Sequence, residues 1–218
     1  MVIATLNGSP KVKDSNSEVN LSVIEERLSK ENTIKRYSIN KSLFNEEEVS
    51  QIIKSDILIV AFPLYVDGIP AHLLEQMILL EKAYKEKEHN DTTVYVIANN
   101  GFYEGNQNKY ALAMVKNFCA RANITWGQGI GIGTGEMIGG MIKGGMPLGR
   151  GPLKSSGKAM DLLTENIKNK VSSEDIYVNP NLPSFAFKFI AHRTFWDANA
   201  RKNGITKKEM NVRLVYKK

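Results

Sequence analysis

The chain has 218 residues, 42% hydrophobic and 24% charged, with a formal net charge of +6, the make-up of a soluble globular protein. Cys119 is the single cysteine, which excludes an intrachain disulfide, a CxxC redox pair and a thiolate-held zinc or iron–sulfur centre, so redox chemistry, if the chain performs any, must come from a bound organic cofactor. No apolar run is long enough to cross a bilayer and the first residues read as a strand, so the expectation is a cytoplasmic protein with no integral membrane segment.

Residues 2–6 read as an apolar strand that enters a loop rich in hydroxyl and amide side chains and then an amphipathic helix. A helix start presents unpaired N–H groups and partial positive charge, to which Ser9, Ser15, Asn16 and Ser17 add side-chain donors, the make-up of a phosphate cradle. The same residues fit a capping box, Ser15 as N-cap and Glu18 three positions on, and the two readings are compatible.

Further strands are predicted at 33–39, 56–62, 93–98 and 125–132, alternating with helical patterns at Leu21, Ile24 and Leu28; at Val49, Ile52 and Ile53; at Leu73, Leu74, Met77, Ile78 and Glu81; and around Cys119. Strict alternation predicts a five-stranded parallel sheet with helices on both faces, and ligands in such sheets bind beyond the carboxyl ends of the strands. The loops after strands one, three and four are therefore the expected site.

After strand three, Pro63, Leu64, Tyr65 and Val66 lead to Gly68-Ile69-Pro70, with Pro70 placed at the first helical position. A proline-stiffened turn presenting main-chain amides and an aromatic ring suits a flat heteroaromatic ligand, although Tyr65 would equally pack beneath the loop. After strand four, Asn99, Asn100 and Gly101 precede Phe102 and Tyr103. Gly101 allows close backbone approach or positive φ, Asn108 reads as a helix cap, and the two aromatics read either as ligand contacts or as packing.

Cys119 falls in the stripe Ala111, Met114, Val115 and Ala122, as a buried, inert thiol does. Gly127, Gly129, Gly131, Gly133 and Gly135 fit no GxGxxG frame, and no GxxxxGK[ST] is present. Residues 133–152, rich in glycine, read as a long loop serving as a lid or reaching a partner subunit.

Domain limits are expected at 1–175 for the sheet domain and 176–218 for a helical extension. Within the extension Phe185, Phe189, Ile190, Phe195 and Trp196 recur at helical spacing among Lys188, Arg193, Arg201 and Lys202. This stripe reads as core or subunit interface, with a membrane surface as the other reading. Asn203-Gly204 reads as a helix stop and Thr206 to Glu209 as a final capping box. Basic residues concentrate after residue 188, yet no base-reading helix, finger or aromatic RNA-binding signature is present, so nucleic acid is not an expected partner. His72, His89 and His192 form no partnered constellation in the sequence.

Taken together, Asn7-Gly8-Ser9-Pro10-Lys11 with Ser15-Asn16-Ser17, Pro63-Leu64-Tyr65 with Gly68-Ile69-Pro70, and Asn99-Asn100-Gly101 make the chain similar to the flavodoxin-like NAD(P)H-dependent FMN reductases over roughly its first 130 residues. The resemblance implies a flavodoxin-like fold, bound FMN, NAD(P)H as electron donor, a small-molecule acceptor such as a quinone, an azo or nitro compound or free flavin, and a homodimer. It implies that Ser9, Lys11, Asn16 and Ser17 hold the phosphate, that Pro63, Leu64, Tyr65 and Val66 line one side of the flavin ring, and that Asn99, Asn100 and Gly101 line the other. The flavin would carry the chemistry, with no catalytic side chain. Lys11 stands where the family often has arginine, and Val66-Asp67 where an aromatic and a small residue often follow the tyrosine, which changes the ring environment. The alternative reading is an FMN-binding electron carrier or sensor; such carriers are usually acidic, and this chain is basic.

Overall fold

The computed structural model describes residues 1–11, 13–39 and 43–212, so Val12 of the first loop lies outside the described residues. They divide into two compact units, Met1–Asn181 and Leu182–Lys218.

The first unit is built on β1 (Val2–Asn7), β2 (Thr33–Ser38), β3 (Ile57–Pro63), β4 (Thr93–Asn99), β5 (Thr125–Ile132) and β6 (Ile176–Val178). All pair in parallel, in the order β2-β1-β3-β4-β5-β6. The sheet thus has six strands among the described residues, not the five expected from the sequence. The sixth, Ile-Tyr-Val, pairs with Ile130 to Ile132 and belongs to the first unit.

Helices α1 (Asn16–Leu28), α2 (Glu46–Ile53), α3 (Ala71–Lys85), α4 (Lys109–Ala122), α5 (Gly135–Lys143) and α6 (Lys154–Lys168) connect the strands. Alternate residues of β1, β3 and β4 face two separate apolar layers. Leu6, Leu58, Val60, Phe62 and Val96 pack with Leu73, Met77 and Leu80 of α3 and with Leu112 and Val115 of α4. Ile3, Ile57, Ile59, Tyr95 and Ile97 pack with Leu21, Ile24 and Leu28 of α1 and with Met160, Leu163 and Ile167 of α6. Burial on both faces is why β3 and β4 read as unbroken apolar runs instead of alternating ones.

The chain leaves β1 for one neighbour, β2, and returns to the other, β3, so the connections diverge between β1 and β3, the switch point beyond whose carboxyl ends open sheets of this kind bind ligands. Residues 133–152 are not the long loop expected from the glycines: Gly135–Lys143 is a helix. The α6 segment, for which no helix was expected, is one as well.

The second unit holds α7 (Ser184–Ala191), a wide π-type turn at His192–Trp196, α8 (Asp197–Lys202) and a 3-10 turn at Glu209–Asn211. Gly204 at φ +69 follows α8, and Thr206 and Glu209 bond reciprocally, as a stop and a capping box require. Phe185, Phe189, Phe195 and Trp196 are exposed.

Candidate functional site

The loop after β1 is shaped first by Asn7. Its amide oxygen accepts from the Ser9 N–H at 3.0 Å, and its Nδ2 donates to Glu18 at 2.9 Å and to Ser15 Oγ at 3.5 Å. Ser9 Oγ accepts from the Lys11 N–H, and the Gly8 N–H donates to the Ala61 carbonyl at 2.8 Å, which ties the loop to the end of β3. Ser15 caps α1 by accepting from the Glu18 N–H at 3.0 Å. Only half of the expected capping box forms, because the Glu18 carboxylate turns to Asn7 and Arg36 instead of back to Ser15. Among the described residues the main-chain N–H groups of Asn16 and Ser17 have no partner, and they carry the positive end of the α1 dipole.

The loop after β3 closes as a tight turn. Tyr65 and Gly68 exchange two main-chain hydrogen bonds of 3.0 Å around Val66 (φ +47) and Asp67 (φ +59), the positive φ pair of a primed turn. Tyr65 is exposed, so the packing alternative for its ring is not realised, and Val66 is fully exposed. Pro70 is the N-cap of α3, one position earlier than expected.

Asn99, at the end of β4, is buried and joins all three loops. Its Nδ2 donates to Ser17 Oγ at 3.3 Å and to the Phe62 carbonyl at 3.0 Å, and its carbonyl accepts from the Leu64 N–H at 2.7 Å. Pro63 pairs with Asn99 in the sheet register. Asn100 organises the next turn, its Oδ1 accepting from the Phe102 N–H at 2.8 Å and its Nδ2 donating to the Glu104 carbonyl at 3.1 Å. Gly101 is exposed with open space around it and has no positive φ, so the positive-φ reason for a glycine there does not apply. Phe102 is exposed; Asn108 is buried under the loop, its Nδ2 donating to the Gly105 and Ile132 carbonyls instead of capping α4 through its side chain.

The predicted residues thus separate into a buried floor of Ser9, Ser15, Ser17, Asn99 and Asn100 and an outer set of Lys11, Tyr65, Val66, Gly101 and Phe102, with Asn16, Pro63 and Leu64 half-buried between.

Helix α5 is the part of this region that the glycine-rich sequence does not reveal. The Thr134 N–H donates to the Phe102 carbonyl at 2.5 Å and the Gly135 N–H to the Asn100 carbonyl at 2.7 Å, while Lys143 Nζ donates to the Asp14 carbonyl at 2.9 Å. Gly139 lies against Asn16 so closely that a Cβ there would fall 2.0 Å from its Oδ1. The helix therefore runs beside the first loop from the turn after β4, and its glycines are the only signal the sequence carried for that close approach.

Cys119 is buried, and burial pushes its thiol up to about 12, which makes it unreactive as a nucleophile. The three histidines are exposed, and among the described residues no cluster of His, Cys, Asp and Glu could hold a metal.

No family model matches the sequence, and no curated protein matches it. Solved structures match by shape. An NADH:FMN oxidoreductase (EMOB) in its apo form is similar at TM-score 0.61 and 13% identity, over 79% of this chain and 91% of that one. A Streptococcus pneumonia TIGR4 flavodoxin is similar at TM-score 0.55 and 11% identity, over 78% and 100%. An NADPH-quinone reductase from P. pentosaceus is similar at TM-score 0.53 and 15% identity, over 77% and 96%. The chain therefore has the flavodoxin-like α/β fold, a parallel sheet with helices on both sides, and resembles in that fold the NAD(P)H-dependent FMN reductases to which its loop residues pointed.

Proposed function

We propose that the chain binds FMN across these three loops and is an oxidoreductase that takes hydride from NAD(P)H and passes electrons to a second small-molecule acceptor, a quinone, an azo or nitro compound or free flavin. The observation that carries the reading is Asn99, whose one side chain joins the start of α1 to the end of β3, bringing the proposed phosphate grip and the two proposed ring loops to one rim. The residues fit the group: Asn16 and Ser17 offer unpaired main-chain donors at a helix start, and Ser9, Ser15 and Lys11 surround them.

When bound, FMN supplies the hydride and electron transfer, and the protein holds and orients it. Ser9, Lys11, Ser15, Asn16 and Ser17 would hold the phosphate. Pro63, Leu64, Tyr65 and Val66 would border the ring on one side and Asn99, Asn100, Gly101 and Phe102 on the other. The exposed Tyr65, Val66, Gly101 and Phe102 would leave a way in for the nicotinamide and the acceptor. Leu74 and Ile78 of α3 and Tyr110 and Met114 of α4 are exposed apolar side chains, and a Cβ at Gly68 would meet Met114 Sδ at 3.4 Å, which supports a second copy docking beside the Tyr65 turn.

A second reading, an FMN-binding carrier or sensor without NAD(P)H turnover, draws on the TIGR4 flavodoxin, which matches the fold nearly as well as the EMOB oxidoreductase. Anaerobic mixing of the FMN-loaded protein with NADH and with NADPH separates the two. Bleaching of the yellow flavin band by either nucleotide, in a species sedimenting at twice 24.4 kDa, is the expected result. Bound flavin that neither nucleotide reduces would establish the carrier or sensor reading instead.

A further inference from the structure

We propose that the second unit, Leu182–Lys218, docks on the surface of an anionic lipid bilayer, its aromatic side chains at the boundary between headgroups and acyl chains and its lysines and arginines on the lipid phosphates. The first support is the division of charge. Residues 182–218 carry nine Lys and Arg against two Asp and Glu, a net +7, whereas the 181 residues before them stand at −1 within the total of +6. The whole positive balance of the protein lies in its last sixth.

The second support is what those charges sit among. Phe185, Phe189, Phe195 and Trp196 are 74%, 61%, 48% and 57% exposed, and Ile190 is exposed beside them. The Arg193 guanidinium lies over the Phe189 ring, 5.2 Å from its centroid, and Phe195 and Trp196 meet edge to face at 5.6 Å. One of the two acids is already engaged, since Asp197 pairs with Lys207 at 3.0 Å, and that contact lowers its carboxyl pKa. Among the described residues Lys188, Arg193, Arg201, Lys202 and Lys208 form no ion pair.

An occupant of this surface must accept both bulky apolar rings and many unpaired cations. A second copy of the unit would bring +7 against +7, and a bare polyanion such as RNA would leave phenylalanine and isoleucine side chains without an apolar partner. An anionic bilayer answers both demands, because aromatic residues settle at the interface while Lys and Arg are drawn to the negative leaflet. This inference concerns the second unit by itself and does not depend on whether the first unit holds flavin.

The experiment sediments the full chain with vesicles of phosphatidylcholine alone and of phosphatidylcholine with 30% phosphatidylglycerol. At least tenfold tighter binding to the anionic vesicles is expected. A Phe185→Ser, Phe189→Ser, Trp196→Ser variant and a Lys188→Gln, Arg201→Gln, Lys202→Gln variant are each expected to lose at least tenfold, with unchanged far-ultraviolet circular dichroism. Independently of any folding defect in those variants, tryptophan emission of the wild-type chain is expected to be quenched by brominated acyl chains in the anionic vesicles, and this quenching is expected to fall in Trp196→Phe. No binding to the anionic vesicles, binding that survives loss of the aromatic residues, or tryptophan emission untouched by the brominated lipid would each overturn the proposal. Tighter binding to a single-stranded oligonucleotide or to poly-glutamate than to the vesicles would overturn it in favour of a polyanion or an acidic protein.

Discussion

Val66 is a β-branched residue at φ +47, a conformation in which its Cβ crowds the neighbouring carbonyl, and it is fully exposed, so no packing compensates. The two hydrogen bonds between Tyr65 and Gly68 hold it there. Strain held at an exposed turn points to a use for the backbone shape, which the proposed ring-side position of this loop would supply. Replacing it by a residue that tolerates this region, Val66→Asn, is expected to raise the unfolding free energy of the flavin-free protein by about 1 kcal/mol in chemical denaturation. A loss of stability would contradict the account of this turn.

Residue identity made some of the site legible and hid other parts. Ser15 as N-cap and Cys119 as a buried thiol follow from local sequence, because capping chemistry and helical spacing are short-range properties. That Asn99 would reach both Ser17 and Phe62 is not readable, since the three residues meet only once β1, β3 and β4 are laid side by side. Glu18 misled for the same reason: the partner drawing it away from Ser15 is Arg36, on a strand that comes later in the chain.

Among the elements, α3 and α4 are fastened at the surface by Glu81, which accepts from Arg121 Nε at 3.0 Å and pairs with Lys85. The hydrogen bonds from Arg121 and then Lys85 hold the Glu81 carboxyl down at about 2. A carboxyl lowered in the folded state contributes stability that is fully present above its unfolded value near 4.5 and is lost as pH falls toward 2. Carboxyl-carbon titration is therefore expected to place Glu81 well below the ordinary glutamate range and to raise it in Arg121→Ala, with Lys85 still holding it part of the way down. An ordinary value in the wild-type chain would remove this link between the helices.

The long strands were legible as elements because strands covered on both faces are continuous apolar runs between turn residues. β6 was not, being three residues long at the sheet edge. α5 was hidden by composition, since Gly135, Gly139 and Gly140 lower helix propensity and read as loop. Two of those glycines are there for proximity: Gly139 lies against Asn16 and Gly135 against Asn99. A pattern that argues for flexibility in sequence here serves close packing.

At the scale of the molecule, the alternation of strands and helices fixed the direction of the sheet, and the order β2-β1-β3-β4-β5-β6 put its switch point, β1 beside β3, where three loops end. Charge is divided as sharply as structure, with the positive balance confined to the second unit. On the proposed function the first unit, near neutrality, would grip its anionic ligand by local donors and not by a general positive field. Titration of FMN into the flavin-free protein measures that local grip. Saturable binding of one FMN per chain is expected, weakened at least a hundredfold in Ser17→Asp with the fold intact by circular dichroism. A wild-type chain that takes up no FMN, or a Ser17→Asp variant that binds it equally well, would contradict the assignment of the three loops.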